Sequence, residues 1–378
     1  MSNAIGGFRS EKFKNVSRQW LDKCLTYDEG MRAIAAKSTC EDFEASVDRF
    51  IPKLLNGKMA LVDCESGRSY VPTSHCMVQL SRWAGVGTFL PAKLAASNDE
   101  QDAETLVRIM TNGLRHVDRS KSMLWRTRRD GTMRAVLSDR YMTVNNLWVL
   151  ESISKIIPGG LLSHWRGDED AIYANVLIPD KIRSEKDSDY GGMLSIGNSE
   201  IGTRHLSSLP SVFRSICMNG CIWDQTSGIA MRLRHNGQLD YEVIFESMKE
   251  HINSQIPILD AGVNQLLSTR NMVWEHGDIL PLFAQISQDF KVARRPMSRV
   301  IDAYAEEVAA SEDSTNTLFG VINAVTRAGQ SLGNEIWHSF DVLGGRLSNY
   351  GVSEWESLTQ RARFLSSSSI EKALGISL

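Results

Sequence analysis

Ser122-Met-Leu-Trp-Arg-Thr-Arg-Arg-Asp-Gly-Thr-Met-Arg-Ala-Val-Leu-Ser138 sets how the middle of this chain folds. Asp130-Gly131 lies between two short runs, and a type I′ hairpin turn prefers this dipeptide because both of its central residues need positive φ. A two-residue turn there sets Arg128 opposite Met133, Thr127 opposite Arg134 and Trp125 opposite Val136. One face then carries Trp125, Thr127, Arg129, Arg134 and Val136, and the other carries Leu124, Arg126, Arg128, Met133, Ala135 and Leu137. The arginines gather at the turn and the apolar residues at the base. Such a hairpin is expected to be rooted in a core and to project outward.

On the C-terminal side, Asn145 and Asn146 are N-cap candidates for a helix through Leu147, Leu150, Ile153 and Ile157, which Pro158-Gly159-Gly160 ends. Alternation of Ile172, Ala174, Val176 and Ile178 predicts a strand, and a second is expected from Tyr190 to Ile196. Ser211 to Met218, between Pro210 and Asn219-Gly220, reads as a short helix. From Leu239 onward the period becomes helical, with Val243, Phe245, Met248, Ile252 and Ile256 on one stripe and further amphipathic stretches to Leu332. On the N-terminal side, the acidic run Asn98 to Glu104 is a linker or the first turn of a helix reaching Leu114. Residues 1–95 read as helical stretches between turns, Glu41 to Leu55 being one, ahead of Asn56-Gly57. The fold class is α+β: a central antiparallel or mixed sheet with a basic hairpin, followed by a helical C-terminal lobe. The expected divisions are 1–103, 104–238 and 239–378.

With 378 residues, 42% hydrophobic and 23% charged, the chain suits a globular protein of two lobes. No run approaches the ~18 apolar residues of a spanning helix, and Met1 to Ser10 lacks a signal-peptide core, so a cytoplasmic location without a membrane partner is expected. Six scattered cysteines suit reduced thiols. Cys217 and Cys221, with His205 and His235 to either side, supply one close pair where a structural zinc site usually shows two, so no metal is expected. Neither a phosphate-binding glycine loop nor HExxH or GxSxG occurs, and no cofactor or catalytic residue is assigned.

The net charge of −3 hides a local excess. Arg115, Arg119, Lys121, Arg126, Arg128, Arg129, Arg134 and Arg140 stand against Asp118, Asp130 and Asp139, a balance of +5 within 26 residues. Arginine pairs with phosphate and stacks on bases, and Trp125 beside these residues supplies a stacking platform, the combination used by single-strand binders. The same charges also suit a solvated edge hairpin that resists edge-to-edge aggregation. At Ser138-Asp-Arg-Tyr141, either Arg140 contacts phosphate with Asp139 orienting it, or Asp139 caps a turn and Tyr141 packs. Asn198, Glu200, Arg204 and His205 bring a carboxylate, a guanidinium and an imidazole within eight residues. A hydrolase would need them to converge in a pocket, whereas the flanking Gly197 and Gly202 point to a hydrogen-bonded loop.

Three segments carry a resemblance: Arg134-Ala-Val-Leu-Ser-Asp-Arg-Tyr141, Asn198-Ser-Glu-Ile-Gly-Thr-Arg204 leading to Phe213-Arg-Ser-Ile-Cys-Met-Asn-Gly220, and Thr317-Leu-Phe-Gly-Val-Ile-Asn-Ala-Val-Thr326. Together they resemble the phage- and plasmid-borne family named domain of unknown function 932. The family's last motif tends to run into an acidic, aromatic stretch, whereas Arg327-Ala-Gly-Gln330 follows here. The resemblance implies a mobile-element origin and leaves the chemistry open. The order hairpin, helix, strand, strand, helix also resembles single-strand annealing proteins of the lambda-beta type, which hold DNA in a basic groove on an oligomeric ring. The expectation is a non-enzymatic, homo-oligomeric nucleic-acid-binding protein, single-stranded DNA favoured, acting in recombination or replication. The alternative is a protein-interaction factor, for phage counter-defence or assembly, that contacts a phage or host protein through its helical lobe.

Overall fold

The structure is a computed structural model and describes residues 21–36, 40–167, 170–185, 188–215, 219–222, 231–233, 235, 237 and 240–376. Its first sheet contains β1 (Cys40–Ser46), β2 (Phe50–Leu55), β3 (Lys58–Asp63), β4 (Ser69–Pro72), β5 (Ser122–Arg128) and β6 (Thr132–Ser138), in the order β1-β5-β6-β4-β3-β2. All neighbours are antiparallel except β4 and β6, which run parallel. The hairpin is therefore the middle of a sheet and not a projection from one. β1 covers the outer edge of β5 along its full length, from Cys40 opposite Arg128 to Ser46 opposite Ser122.

Glu41 to Leu55, read as helical from the sequence, forms β1, a short 3-10 turn and β2. Its acids alternate with the inward-facing Phe43 and Ala45, and Asp42 lies directly opposite Arg126. A cross-strand pair of opposite charge stabilises a strand where the local sequence is indifferent. Asn56-Gly57 makes the two-residue turn, with φ of 51° and 71° and Leu55 opposite Lys58. Asp130-Gly131 does not. Only Gly131 has positive φ, at 85°, and its N–H donates to the Arg128 carbonyl at 3.1 Å, so Arg129, Asp130 and Gly131 form a three-residue loop.

The longer loop shifts the register. Trp125 lies opposite Val136 as expected, but Thr127 lies opposite Met133, which leaves Arg134 as an extra, bulged residue. Met133 therefore joins Trp125 in the core, and Arg134 turns to the face of Arg126. Both faces of the hairpin are covered. Trp125, Met133 and Val136 pack under helices Ser74–Trp83 and Glu100–Leu114, while Leu124, Ala135 and Leu137 pack on Ile201. Helix Glu100–Leu114 begins where the acidic run predicted, with the Asp99 side chain accepting from the Gln101 N–H at 2.8 Å.

The second sheet is antiparallel and contains β7 (Leu161–Gly167), β8 (Ala171–Ser184), β9 (Asp189–Ser199), β10 (Leu206–Arg214), β11 (Asn219–Ile222) and β12 (Met231–Leu233). Its order is β11-β10-β9-β8-β7, and β12 also pairs with β10. The strands expected at 172–178 and 190–196 lie within β8 and β9. Where a helix was expected at 211–218, residues 211–214 are instead the end of β10, and 216–218 lie outside the described residues. Pro210 had suggested a helix start, but it lies on β10 between the stretch that pairs with β12 and the stretch that pairs with β11, where its missing N–H interrupts neither.

Helices Asn146–Ile156 and Tyr241–Gln255 cover one face of this sheet through Val149, Ile153, Ile244 and Met248. The other C-terminal helices are Leu259–Ser268, Leu280–Asp289, Arg294–Ala310, Leu318–Gln330, Asn334–Ser348, Val352–Arg363 and Ser367–Leu374. They enclose the largest apolar cluster, which Tyr190 and Val212 join from the sheet. The C-terminal lobe is helical, as the periodicity predicts. No helix among the described residues is long and apolar enough to cross a membrane.

One glycine of the third family-like segment is decided by contact. A Cβ built on Gly320 would lie 1.9 Å from the Ser314 carbonyl oxygen, a backbone atom that cannot move aside cheaply. Gly320→Ala is expected to lower stability by about 3 kcal/mol, the upper range for overpacking, seen as an earlier midpoint in urea unfolding. Gly333→Ala, with no atom within 4 Å of the added carbon, is the matched control and is expected to leave that midpoint nearly unchanged.

Candidate nucleic-acid interface

The nine residues expected at a basic interface are separated by the fold. Trp125 is fully buried, lies tilted against Phe50 with ring centroids 4.2 Å apart, and donates its Nε1–H to the Ala45 carbonyl at 2.9 Å. The exposed platform expected of it does not form, because β1 and the helices close over that face. Arg126 and Arg134 are also interior, with side chains 2% and 0% exposed. Arg126 pairs with Asp42 at 2.8 Å and donates to the Glu200 carbonyl. Arg134 pairs with Asp170 at 3.0 Å and with Glu200 at 3.4 Å. Arg128 is half-buried near Asp170, and exposed Arg129 lies 3.5 Å from Glu41. Arg115, Arg119, Lys121 and Arg140 are exposed at the opposite end of the hairpin from its turn.

Glu200 explains the burial of two guanidinium groups. Its Oε2 faces Arg134 and lies 3.6 Å from Arg126, and its Oε1 accepts from the Asn146 N–H at 2.8 Å, at the start of helix Asn146–Ile156. The positive end of that helix and the arginines share one carboxylate. Asn198, fully buried, donates to the Val144 carbonyl and to Asn146 Oδ1, both at 2.8 Å. Arg204 instead lies over the Tyr173 ring at 4.0 Å, and His205 is exposed. Glu200, Arg204 and His205 thus face different surroundings and do not form a pocket together. Cys217 lies outside the described residues. Cys221 falls on β11, and among the described residues no cluster of His, Cys, Asp and Glu could hold a metal ion.

A second buried cluster ties the sheet to the C-terminal helices. Arg214 on β10 pairs with Glu307 at 2.7 Å, with side chains 1% and 0% exposed, and Arg327 reaches the other oxygen of Glu307 at 2.8 Å. Arg214 and Arg270 both lie against the ring of Phe319, at 4.9 and 4.8 Å. Three of these residues, Arg214, Phe319 and Arg327, come from the segments that carried the family resemblance or directly follow them.

The cations that remain on a concave surface are elsewhere. Where the chain leaves helix Leu280–Asp289 it opens a groove of about 760 Å³ against helix Asn334–Ser348, and this groove continues, through Lys291, Val292 and Ala293, into a cleft of about 500 Å³ against helix Ser367–Leu374. Arg232, Lys291 and Arg346 line the first, and Lys291, Arg294 and Lys372 line the second. All five are exposed, and none has an acidic partner among the described residues. No described acid lines either part. Phe290, Val292, Pro296 and Ile336 form an apolar floor between the charges. His338 closes one end. Its burial, with Arg204 and Arg232 nearby, holds its pKa down to about 4, so it is neutral at pH 7.

The model of the family described as Domain of unknown function (DUF932) matches residues 134–333, more than half of the 378. The chain belongs to this family. No curated protein and no solved structure matches it. The DUF932 segment opens on Arg134 inside β6, so a strand of the segment is held in place by β4 and β5 from outside it. The segment includes Glu200, the Arg214–Glu307–Arg327 cluster and the groove residues Arg232, Lys291 and Arg294. Arg346 and Lys372 lie beyond it.

Sequence reading did not single out the groove. A local signal exists in Lys291-Val-Ala-Arg-Arg295, three cations in five residues, but Arg232, Arg346 and Lys372 are isolated in sequence.

Glu200→Ala is expected to cost about 3–5 kcal/mol in urea unfolding, since it leaves two buried arginines short of their counter-charge. Arg129→Ala is expected to stay within about 0.5 kcal/mol. Stability should also fall with acid. Between the ordinary pKa of 6.5 and about 4 the unfolded chain holds a proton on His338 that the folded chain refuses, so stability is present above the upper value and is lost as pH falls through the interval. His338→Gln should flatten that part of the stability curve.

Proposed function

We propose that the protein binds single-stranded nucleic acid, DNA favoured, in the groove of its C-terminal lobe, without catalysing a reaction on it. The observation that carries this reading is the set of five exposed cations along one concave surface from which described acids are missing. Cations without acidic partners hold phosphates and release their counterions, which makes affinity fall steeply with salt. The apolar floor favours a single strand over a duplex, because only unpaired bases can lay their faces on Phe290, Pro296 and Ile336 while the backbone stays on the charges. Recombination or replication of a mobile element is the setting this reading implies. A second copy of the chain extending the groove is the oligomer it suits.

Lys291 gives the sharpest test. Helix Leu280–Asp289 ends in a Schellman arrangement, in which the Val292 N–H donates to the Ser287 carbonyl at 2.9 Å and Lys291 takes φ of 53°. Glycine is the usual residue there, and another residue in that conformation costs about 1–2 kcal/mol. Lys291→Gly is therefore expected to leave stability unchanged or raise it by up to about 1 kcal/mol. In anisotropy titrations with labelled oligothymidylate it should weaken binding and lower the salt slope by about 0.7, one single-strand phosphate contact. If the parent protein binds no single strand at low salt, the reading fails. If it binds and Lys291→Gly together with Arg346→Ala binds as tightly at every salt concentration, the groove is not the site.

A further inference from the structure

The two ends of the groove differ. Through Lys291, Val292 and Ala293 it runs on into the second cleft, whereas at His338 it is blocked. Behind His338 the space between the second sheet and helix Asn334–Ser348 shrinks to about 10 Å³, walled in part by Tyr173 and Trp337, whose rings meet edge to face at 5.8 Å. That volume holds no more than a water. A strand lying along the groove cannot thread past His338.

Charge gathers at the blocked end. Arg232 stands on β12 opposite Ser207, exposed and lining the groove. Arg204 lies over the Tyr173 ring on the inner side of His338. Burial, and then the charges of Arg204 and Arg232, keep the imidazole of His338 neutral at pH 7. A neutral imidazole still has one N–H to donate to an anion. Asp341 is the acid of this neighbourhood, but it is buried and lines the space behind His338, not the groove. On the groove side no described acid offsets the two guanidinium groups. An internal phosphodiester brings one negative charge to such a place, while a phosphate monoester brings nearly two at pH 7, with three free oxygens for the charge-assisted hydrogen bonds a guanidinium makes.

We infer that the blocked end of the groove is a subsite for a phosphate monoester, the terminal phosphate of the bound strand, held by Arg232 and His338 with Arg204 behind them. The inference rests on the reading of the groove as a single-strand site. A subsite of fixed geometry meets one terminus, 5′ or 3′, so it also sets the direction in which the strand lies.

The test titrates the full chain with labelled oligothymidylate phosphorylated at its 5′ end, at its 3′ end or at neither. A hydroxyl-ended strand one nucleotide longer carries as many phosphates as the phosphorylated strands and is the reference for added charge. The expected result is that one phosphorylated strand, and not the other, binds about tenfold more tightly than this reference. Arg232→Ala, an exposed substitution that leaves the fold intact, should remove most of that advantage. Arg346→Ala, elsewhere in the groove, should weaken all strands alike and preserve it. No advantage at either end, an equal advantage at both, or a loss on Arg346→Ala as large as on Arg232→Ala overturns the subsite and leaves the groove standing. If inorganic phosphate displaces the hydroxyl-ended strand more strongly than chloride of equal ionic strength, the site takes free phosphate in place of a strand end, and the inference is overturned as well. No binding of any strand at low salt overturns the groove reading itself.

Discussion

A carboxylate buried between two sheets must be neutralised where it sits, and Glu200 is neutralised three times over. Arg126 and Arg134 approach it from the first sheet, and the Asn146 N–H approaches it from the start of the helix that covers the second. Each of these groups would be expensive to bury alone; together they satisfy one another. The first sheet, the helix and the loop after β9 are therefore fixed to a common point. The bulge at Arg134 belongs to the same constraint. Without the extra residue, Arg134 would face the core that contains Trp125, and Met133 would face Glu200.

This arrangement decides where charge is left over. The stretch with the highest density of arginine commits two of them to the interior, and two more lie beside Asp170 and Glu41. Glu307 repeats the device in the C-terminal lobe, where it takes up Arg214 and Arg327 and fixes helices Arg294–Ala310 and Leu318–Gln330 against β10. With those acids engaged at the centre, the rim made by Arg232, Lys291, Arg294, Arg346 and Lys372 keeps its positive charge. The backbone at Lys291 points the same way, since a cation occupies a position where glycine would be relaxed.

The α+β class, the helix Asn146–Ile156, the strands around 172–178 and 190–196 and the helical C-terminal lobe were legible because each rests on periodicity and local signals within a few residues. The family was legible because its segments are contiguous. The strands at 40–55 and at 206–214 were not, since their local composition is compatible with helix and only pairing partners far along the chain settle the matter. Asp42 became a strand residue by lying opposite Arg126, 84 positions away.

The sequence by itself determined the α+β class, the elements whose signals are local, and that a local excess of arginine exists. The tertiary structure decided what each arginine meets. A guanidinium is available to a ligand only if no carboxylate reaches it, and Glu200 reaches Arg134 across 66 positions of chain. The same physics hid the groove, whose cations come from β12, a helix end and three separate helices, and share a surface only once the C-terminal helices pack.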